Sequence, residues 1–229
     1  MMLYLKLAVC ILPFLIIIRF LYIRDRHEKE PVGLMVKAFS WGFFSIIPVI
    51  LLEMPFQSLL QRMNFHEAFI SGIVPGLIEE GAKFAIFFLL ILKNREFDEP
   101  YDGILYAALI SLGFALSENL LYVFSNPVNV ALIRAFTAVP GHAMFGISMG
   151  YFFFKSRYEN PSLRRIYILS AFFFPALLHF SYNFVIKSSA FIGYYSLLAL
   201  VCYLWFMIEV SKKRIREAEI HSENKEENR

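Results

Sequence analysis

Charge is scarce in this chain and cysteine is almost absent. Among 229 residues there are 22 Lys and Arg, 19 Asp and Glu, and two cysteines. Cys10 and Cys202 both fall inside apolar runs, without the spacing of a disulfide framework or a metal site, so they read as small buried apolar residues. The net charge is only +3 and the basic residues are scattered over short loops, which argues against nucleic acid as a partner. No internal repeat, low-complexity segment or HExxH motif occurs, and no serine stands beside a His and an acid at recognisable spacing. Apolar residues, by contrast, are abundant. They make up 58% of the chain, with 26 Phe and a mean hydropathy of +0.57, against about 45–50% apolar in soluble domains. The chain reads as an integral membrane protein with almost no room for a separate soluble domain.

Windows of about 20 apolar residues predict seven spans, near 3–23, 34–54, 69–92, 103–124, 131–154, 166–186 and 190–210. The expected fold is all-α, a polytopic membrane helix bundle. The first span lacks a small-residue cleavage site and its basic residues follow it, so it is expected to be a retained anchor. The loops alternate in charge. Seventeen of the 22 Lys and Arg fall on one side, four on the other (Lys6, Arg62, Arg134, Lys187), and Lys83 lies within a span. The positive-inside rule then places the N-terminus outside and the C-terminus in the cytoplasm of a bacterial cell membrane. Residues 1–211 are expected to form one transmembrane domain, and 212–229 a charged cytoplasmic tail, solvated and partly disordered. Only spans three to six carry buried polar groups, so any chemistry is expected in a block of about 69–187. Spans one, two and seven are expected to serve packing and lipid contact.

Glu79, Glu80 and Lys83 interrupt the apolar run 69–92. A charge at the centre of a membrane helix costs about 2.5–3.5 kcal/mol, so such groups mark a functional site by default. A purely structural ion network is the plainer alternative. Lys83 is four residues from Glu79 and three from Glu80, within reach of either. The simplest arrangement leaves one carboxylate in a cavity and ties the other to Lys83. The fourth span adds Glu118 and Asn119, with Asp102 expected as a cap or loop contact at its inner end. The fifth adds His142, among Gly141, Gly146 and Gly150, which are expected to admit a close neighbouring helix. The sixth adds His179 and Asn183 on one face. At 1.5 Å per residue these groups lie roughly 9–17 Å below the predicted outer surface. Four helices of alternating direction therefore place their polar groups in one layer.

Such a set suits general acid–base hydrolysis, with a carboxylate activating water and His or Asn donors stabilising an oxyanion. Zinc is possible if Glu79, Glu118, His142 and His179 converge, though no spacing requires it. A proton- or cation-coupled transporter would also use buried Glu, Lys and His, but internal repeats and broken helices are not evident. A non-catalytic membrane binding or immunity protein is a third reading.

The motifs EExxK (Glu79, Glu80, Lys83), FxxxEN (Phe114, Glu118, Asn119), a glycine-flanked His142 and HxxxN (His179, Asn183) resemble the PrsW family of bacterial intramembrane proteases. They follow in order over nearly the whole chain, and the early loop with Asp25 and Glu30-Pro31 fits as well. The resemblance implies a glutamate-type endopeptidase. It would make the first, site-1, cleavage of a single-span membrane anti-sigma factor near the extracytoplasmic side, leading to sigma-factor release under envelope stress. That family is distantly similar to the CAAX-prenyl protease and bacteriocin-processing group, with EExxxR, FxxxH and HxxxN motifs. The similarity implies that Glu79 activates water, Glu80 pairs with a basic residue, and His179 and Asn183 stabilise the oxyanion. This chain departs at two points: the basic residue, Lys83, comes one position earlier, and Glu118 replaces the FxxxH histidine. His142 is expected to supply the imidazole facing Glu79.

Overall fold

The computed structural model describes residues 2–26, 28–63, 66–188 and 193–227. Among them are α1 (Met2–Arg24), α2 (Val32–Phe44), α3 (Ile46–Arg62), α4 (Glu67–Ile86), α5 (Pro100–Ser125), α6 (Val128–Phe136), α7 (Ala138–Tyr158), α8 (Arg164–Lys187) and α9 (Tyr195–Glu227), with no strand. A π-helical turn, Phe87–Ile91, extends α4, and a 3-10 turn, Pro161–Leu163, leads into α8.

Six stretches are long and apolar enough to cross a membrane: Lys6–Arg24, Val32–Arg62, Pro100–Ser125, Val128–Tyr158, Pro161–Lys187 and Tyr195–Lys225. The protein is a multi-pass membrane helix bundle. The remaining predicted span, 69–92, is α4 with its π-helical extension, which differs from the six because Glu79, Glu80 and Lys83 sit in its middle and are buried against protein. Two of the six stretches are broken. The second breaks at Ser45, whose hydroxyl donates to the Gly42 carbonyl at 2.7 Å. The fourth breaks at Thr137, between α6 and α7. Residues 189–192, where the last predicted span begins, and 228–229 lie outside the described residues.

α5 forms the centre of the bundle. It is apolar on every face, which suits a helix surrounded by others, and each residue from Pro100 to Ala115 is buried. It packs most extensively on α7 and α2, while α8 packs on α4 and α7. Its N-terminus carries a capping box: the Glu99 amide donates to Asp102 Oδ2 at 2.6 Å, and Pro100 takes the first helical position. Asp102 is thus the cap expected of it. α1 and α3 turn Ile11, Leu12, Leu15 and Leu51, Leu52, Met54 outward, as lipid-facing helices do.

Two glycine contacts fix how closely the helices approach α5. A Cβ on Gly150 would lie 2.1 Å from the Gly103 carbonyl oxygen, and one on Gly113 would lie 2.0 Å from that of Phe39. Gly146 makes a similar close approach, but Gly141 has nothing nearer than 3.7 Å and does not. Gly150→Ala must therefore spread α5 and α7. It is expected to cost about 1–3 kcal/mol, the usual range for overpacking. Thermal unfolding in detergent checks this, with Gly33→Ala as the control because nothing lies within 4 Å of that position.

The charged tail differs from its expectation. α9 continues through it to Glu227 and buries Ser211, Ile215, Ala218 and Ser222. The Tyr101 amide donates to Ser222 Oγ at 3.2 Å, and Lys155 pairs with Glu217 at 2.8 Å. Arg24 pairs with Glu219 at 3.0 Å. The outward charges of this segment hide an inward stripe at helical spacing, and that stripe holds it against α5 and α7.

Candidate active site

Glu80 is the anchor of the polar layer. It and Lys83 are both 0% exposed, and Glu79 is 6% exposed. Lys83 Nζ donates to Glu80 Oε1 at 2.8 Å and stands 3.7 Å from Glu79 Oε2. His179 Nδ1 also lies 3.0 Å from Glu80 Oε1, and 3.9 Å from Glu79 Oε2. Glu80 therefore accepts from both α4 and α8. Glu79 Oε2 is buried and has no hydrogen-bond partner. The two adjacent carboxylates differ because neighbours on a helix point about 100° apart.

His142 bridges to the next part of the network. Its Nδ1 lies 3.1 Å from Lys83 Nζ, and its Nε2 lies 3.0 Å from Glu118 Oε2. An ammonium can only donate, so Nδ1 accepts and the ring proton sits on Nε2, facing Glu118. Ser111 Oγ donates to the His142 carbonyl at 2.6 Å and tethers this turn of α7 to α5. Phe145 stacks on His179 with ring centroids 4.9 Å apart, and Lys83 lies 4.3 Å over Phe114.

Six of the seven residues expected here, Glu79, Glu80, Lys83, Glu118, His142 and His179, thus form one connected group. The seventh, Asn183, is half-buried one turn beyond His179 and makes no hydrogen bond to the group among the described residues. The imidazole at ion-pair distance from Glu79 is that of His179. His142 keeps a ring nitrogen within 4.8 Å of a Glu79 oxygen, while its two nitrogens bond Lys83 Nζ and Glu118.

Two contributors escaped the sequence reading. Arg134 NH2 pairs with Glu118 Oε2 at 2.9 Å, and its Nε donates to Asn119 Oδ1 at 2.8 Å. It reads in sequence as an outer-loop charge, but the break at Thr137 lets α6 turn it back toward α5. Glu53, on α3, has a buried Oε1 without a hydrogen-bond partner and lies within electrostatic reach of Glu79, Glu118 and Lys83. A lone acid in the apolar run IIPVILLEMPF was the available signal.

Glu79, Glu80, His142 and His179 each bring a ligand atom within 4.8 Å of the others, and all four are buried. Two carboxylates and two imidazoles are a zinc-type donor set, and Glu79 Oε2 and Glu80 Oε2 have no hydrogen-bond partners. These residues fit a metal ion. The set contains Glu80 where Glu118 was expected, since Glu118 turns to Arg134 and His142.

A family model described as PrsW family intramembrane metalloprotease matches residues 30–209. Among curated proteins, "Protease PrsW" of Bacillus subtilis (strain 168) is 32% identical over 205 residues, 89% of this chain and 92% of the relative. "Protease PrsW" of Clostridioides difficile (strain 630) is 34% identical over 223 residues, 93% of this chain and 90% of the relative. No solved structure matches.

Proposed function

The chain belongs to the PrsW family of intramembrane metalloproteases, and from that premise we propose that it is an endopeptidase whose water-activating base is Glu79. The protein is a membrane peptidase of the bacterial envelope. What carries the assignment within the site is the Glu79 carboxylate: buried, with one oxygen free of hydrogen bonds, next to the imidazole of His179. A base must reach its water with an open lone pair. Both glutamates keep an unpartnered Oε2, but Glu80 is pinned through Oε1 by Lys83 and His179 and is 0% exposed, whereas Glu79 is 6% exposed and makes no such bond through Oε2.

The other residues take supporting roles. Glu80 fixes the Lys83 ammonium and orients His179, leaving His179 Nε2 to face the reacting group. Lys83, His142, Glu118 and Arg134 form a hydrogen-bonded chain that holds the helices in register. Asn183, and His179 when its ring carries both protons, supply donors for an oxyanion once substrate is bound. A metal ion would be held by Glu79, Glu80, His142 and His179, where it would supply Lewis-acid polarisation of a carbonyl.

The substrate in this reading is a single-span membrane protein of the anti-sigma-factor kind, cut first near its extracytoplasmic side. An apolar groove of about 350 Å³ between α3 and α4, lined by residues including Phe56, Ile73, Leu77 and Ile78, supports it. Its lining includes Ile78, the sequence neighbour of Glu79, so in this reading an apolar segment lying in it runs along the helix that carries the base. Co-expression with single-span anti-sigma factors is expected to yield a shortened product that disappears in Glu79→Gln, Glu80→Gln and His179→Ala. Cleavage surviving all three changes overturns the reading. A chelator added to the purified protein is expected to abolish turnover, and re-addition of zinc to restore it.

A further inference from the structure

A second group of buried carboxylates lies far from the candidate active site. Its centre, Asp102, stands 16 residues before Glu118 on α5, about 24 Å at the usual helix rise. Asp25 and Glu30 come from the connection between α1 and α2, and Asp98 and Glu99 from the connection between α4 and α5. Asp25, Glu30, Glu99 and Asp102 are buried and Asp98 is half-buried.

The local bonds orient the side chains. The Glu30 amide donates to Asp25 Oδ2 at 3.3 Å, and the Tyr106 hydroxyl donates to Glu30 Oε2. Lys29 and Lys225 bring ammonium groups to the rim, where they bond the backbone carbonyls of Asp25 and Asp98. Asp102 uses Oδ2 for the Glu99 amide. Its Oδ1 has no hydrogen-bond partner, although the residue is 0% exposed. An ionised carboxylate oxygen buried in this way costs several kcal/mol unless a cation or a donor reaches it.

Ligand geometry identifies what fits. Asp25, Glu99 and Asp102 bring one oxygen each within 4.8 Å of one another, and so do Glu30, Asp98 and Asp102. Oxygens on opposite sides of a calcium ion, at 2.3–2.6 Å each, are separated by about 4.6–5.2 Å. The donors are all carboxylates, with no imidazole or thiolate, which selects hard cations over zinc or copper. We propose that this cluster is a second metal site, for a hard divalent cation of the Ca²⁺ or Mg²⁺ class, with Asp102 as its central ligand. The ion clasps the two connections to the first turn of α5. The same turn is held by α9 through the Tyr101–Ser222 bond, so the clasp ties four parts of the chain together at one end of the bundle.

Terbium luminescence tests the proposal, because Tyr106 touches Glu30 and can sensitise a bound lanthanide. The full chain, purified in detergent and stripped with a chelator, is titrated with Tb³⁺ and back-titrated with Ca²⁺ or Mg²⁺. Tyrosine-sensitised emission is expected to saturate and to be displaced by the divalent ion. Ca²⁺ or Mg²⁺ is also expected to raise the unfolding temperature by several degrees. Glu79→Gln keeps both effects, while Asp102→Asn and Glu30→Gln weaken Tb³⁺ binding at least tenfold and lose the thermal shift. Should Asp102→Asn fail to fold, Glu30→Gln carries the test, since its amide oxygen still accepts from Tyr106. Absence of a displaceable signal in the unmodified chain, or equal signals in both acidic variants, overturns the proposal. A thermal shift lost in Glu79→Gln but kept in Glu30→Gln does the same, by locating the ion at the active site.

Discussion

Glu79→Gln is expected to leave the fold intact and to slow cleavage by about 10²–10⁴-fold, the usual contribution of a positioned acid–base group. The replacement is isosteric, and the side chain gives up little that the fold uses. Glu79 Oε2 makes no hydrogen bond, and its closest charged neighbour, Lys83 Nζ, is 3.7 Å away. The amide therefore removes the basic lone pair without unpinning a helix. The measurement is a single-turnover rate on a single-span substrate reconstituted with the enzyme in lipid nanodiscs, beside the unfolding temperature of the same sample. A rate within threefold of the unmodified protein, at unchanged stability, removes Glu79 from the role of base.

Lys83→Met is expected to act in the opposite way, through stability. Glu80 would keep its charge at a position with 0% exposure and lose the donor at 2.8 Å. Removing one member of a buried ion pair costs about 3–5 kcal/mol. Such a loss should be visible as a fall of many degrees in unfolding temperature and as reduced accumulation in the membrane. The double variant Glu80→Gln with Lys83→Met removes both charges and is expected to recover a large part of that loss. If the double variant is as unstable as the sum of the single ones, the pair does not interact as its distance implies. Activity stays low in every case, so only the stability measurement separates the effect at Glu80 from that at Glu79.

The site was largely legible in the sequence because a membrane makes polar residues conspicuous. Glu79, Glu80, Lys83, Glu118, His142 and His179 each interrupt an apolar run, and span direction alone placed them at one depth. Helical spacing put Lys83 within reach of either carboxylate, and the pair is seen with Glu80, at 2.8 Å against 3.7 Å to Glu79. Partners set by tertiary geometry were not legible. Arg134 lies near the end of a nine-residue helix whose turn at Thr137 has no strong sequence signal, so its return to Glu118 could not be anticipated. The same break redirects attention from Glu118 as a metal ligand to Glu80. The packing of α9 was readable in principle, since Ile215, Ala218 and Ser222 recur at helical spacing. Dense charge on the outer faces concealed it.

The composition of α4 also bears on how the protein is made. As an isolated helix in hydrocarbon, where an ionised group at such depth costs about 2.5–3.5 kcal/mol, α4 would hold its own Glu80–Lys83 ion pair and an uncompensated Glu79. Its apolar residues recover only about 0.3–0.6 kcal/mol each. The imidazoles that complete the network around those charges, His142 and His179, are encoded 59 and 96 residues after Lys83. At about 5–20 residues per second the ribosome needs several seconds to deliver them. For that interval α4 lacks the partners that bury its polar groups in the bundle. Its stable insertion is therefore expected to come late, with the arrival of α7 and α8, when the polar layer closes.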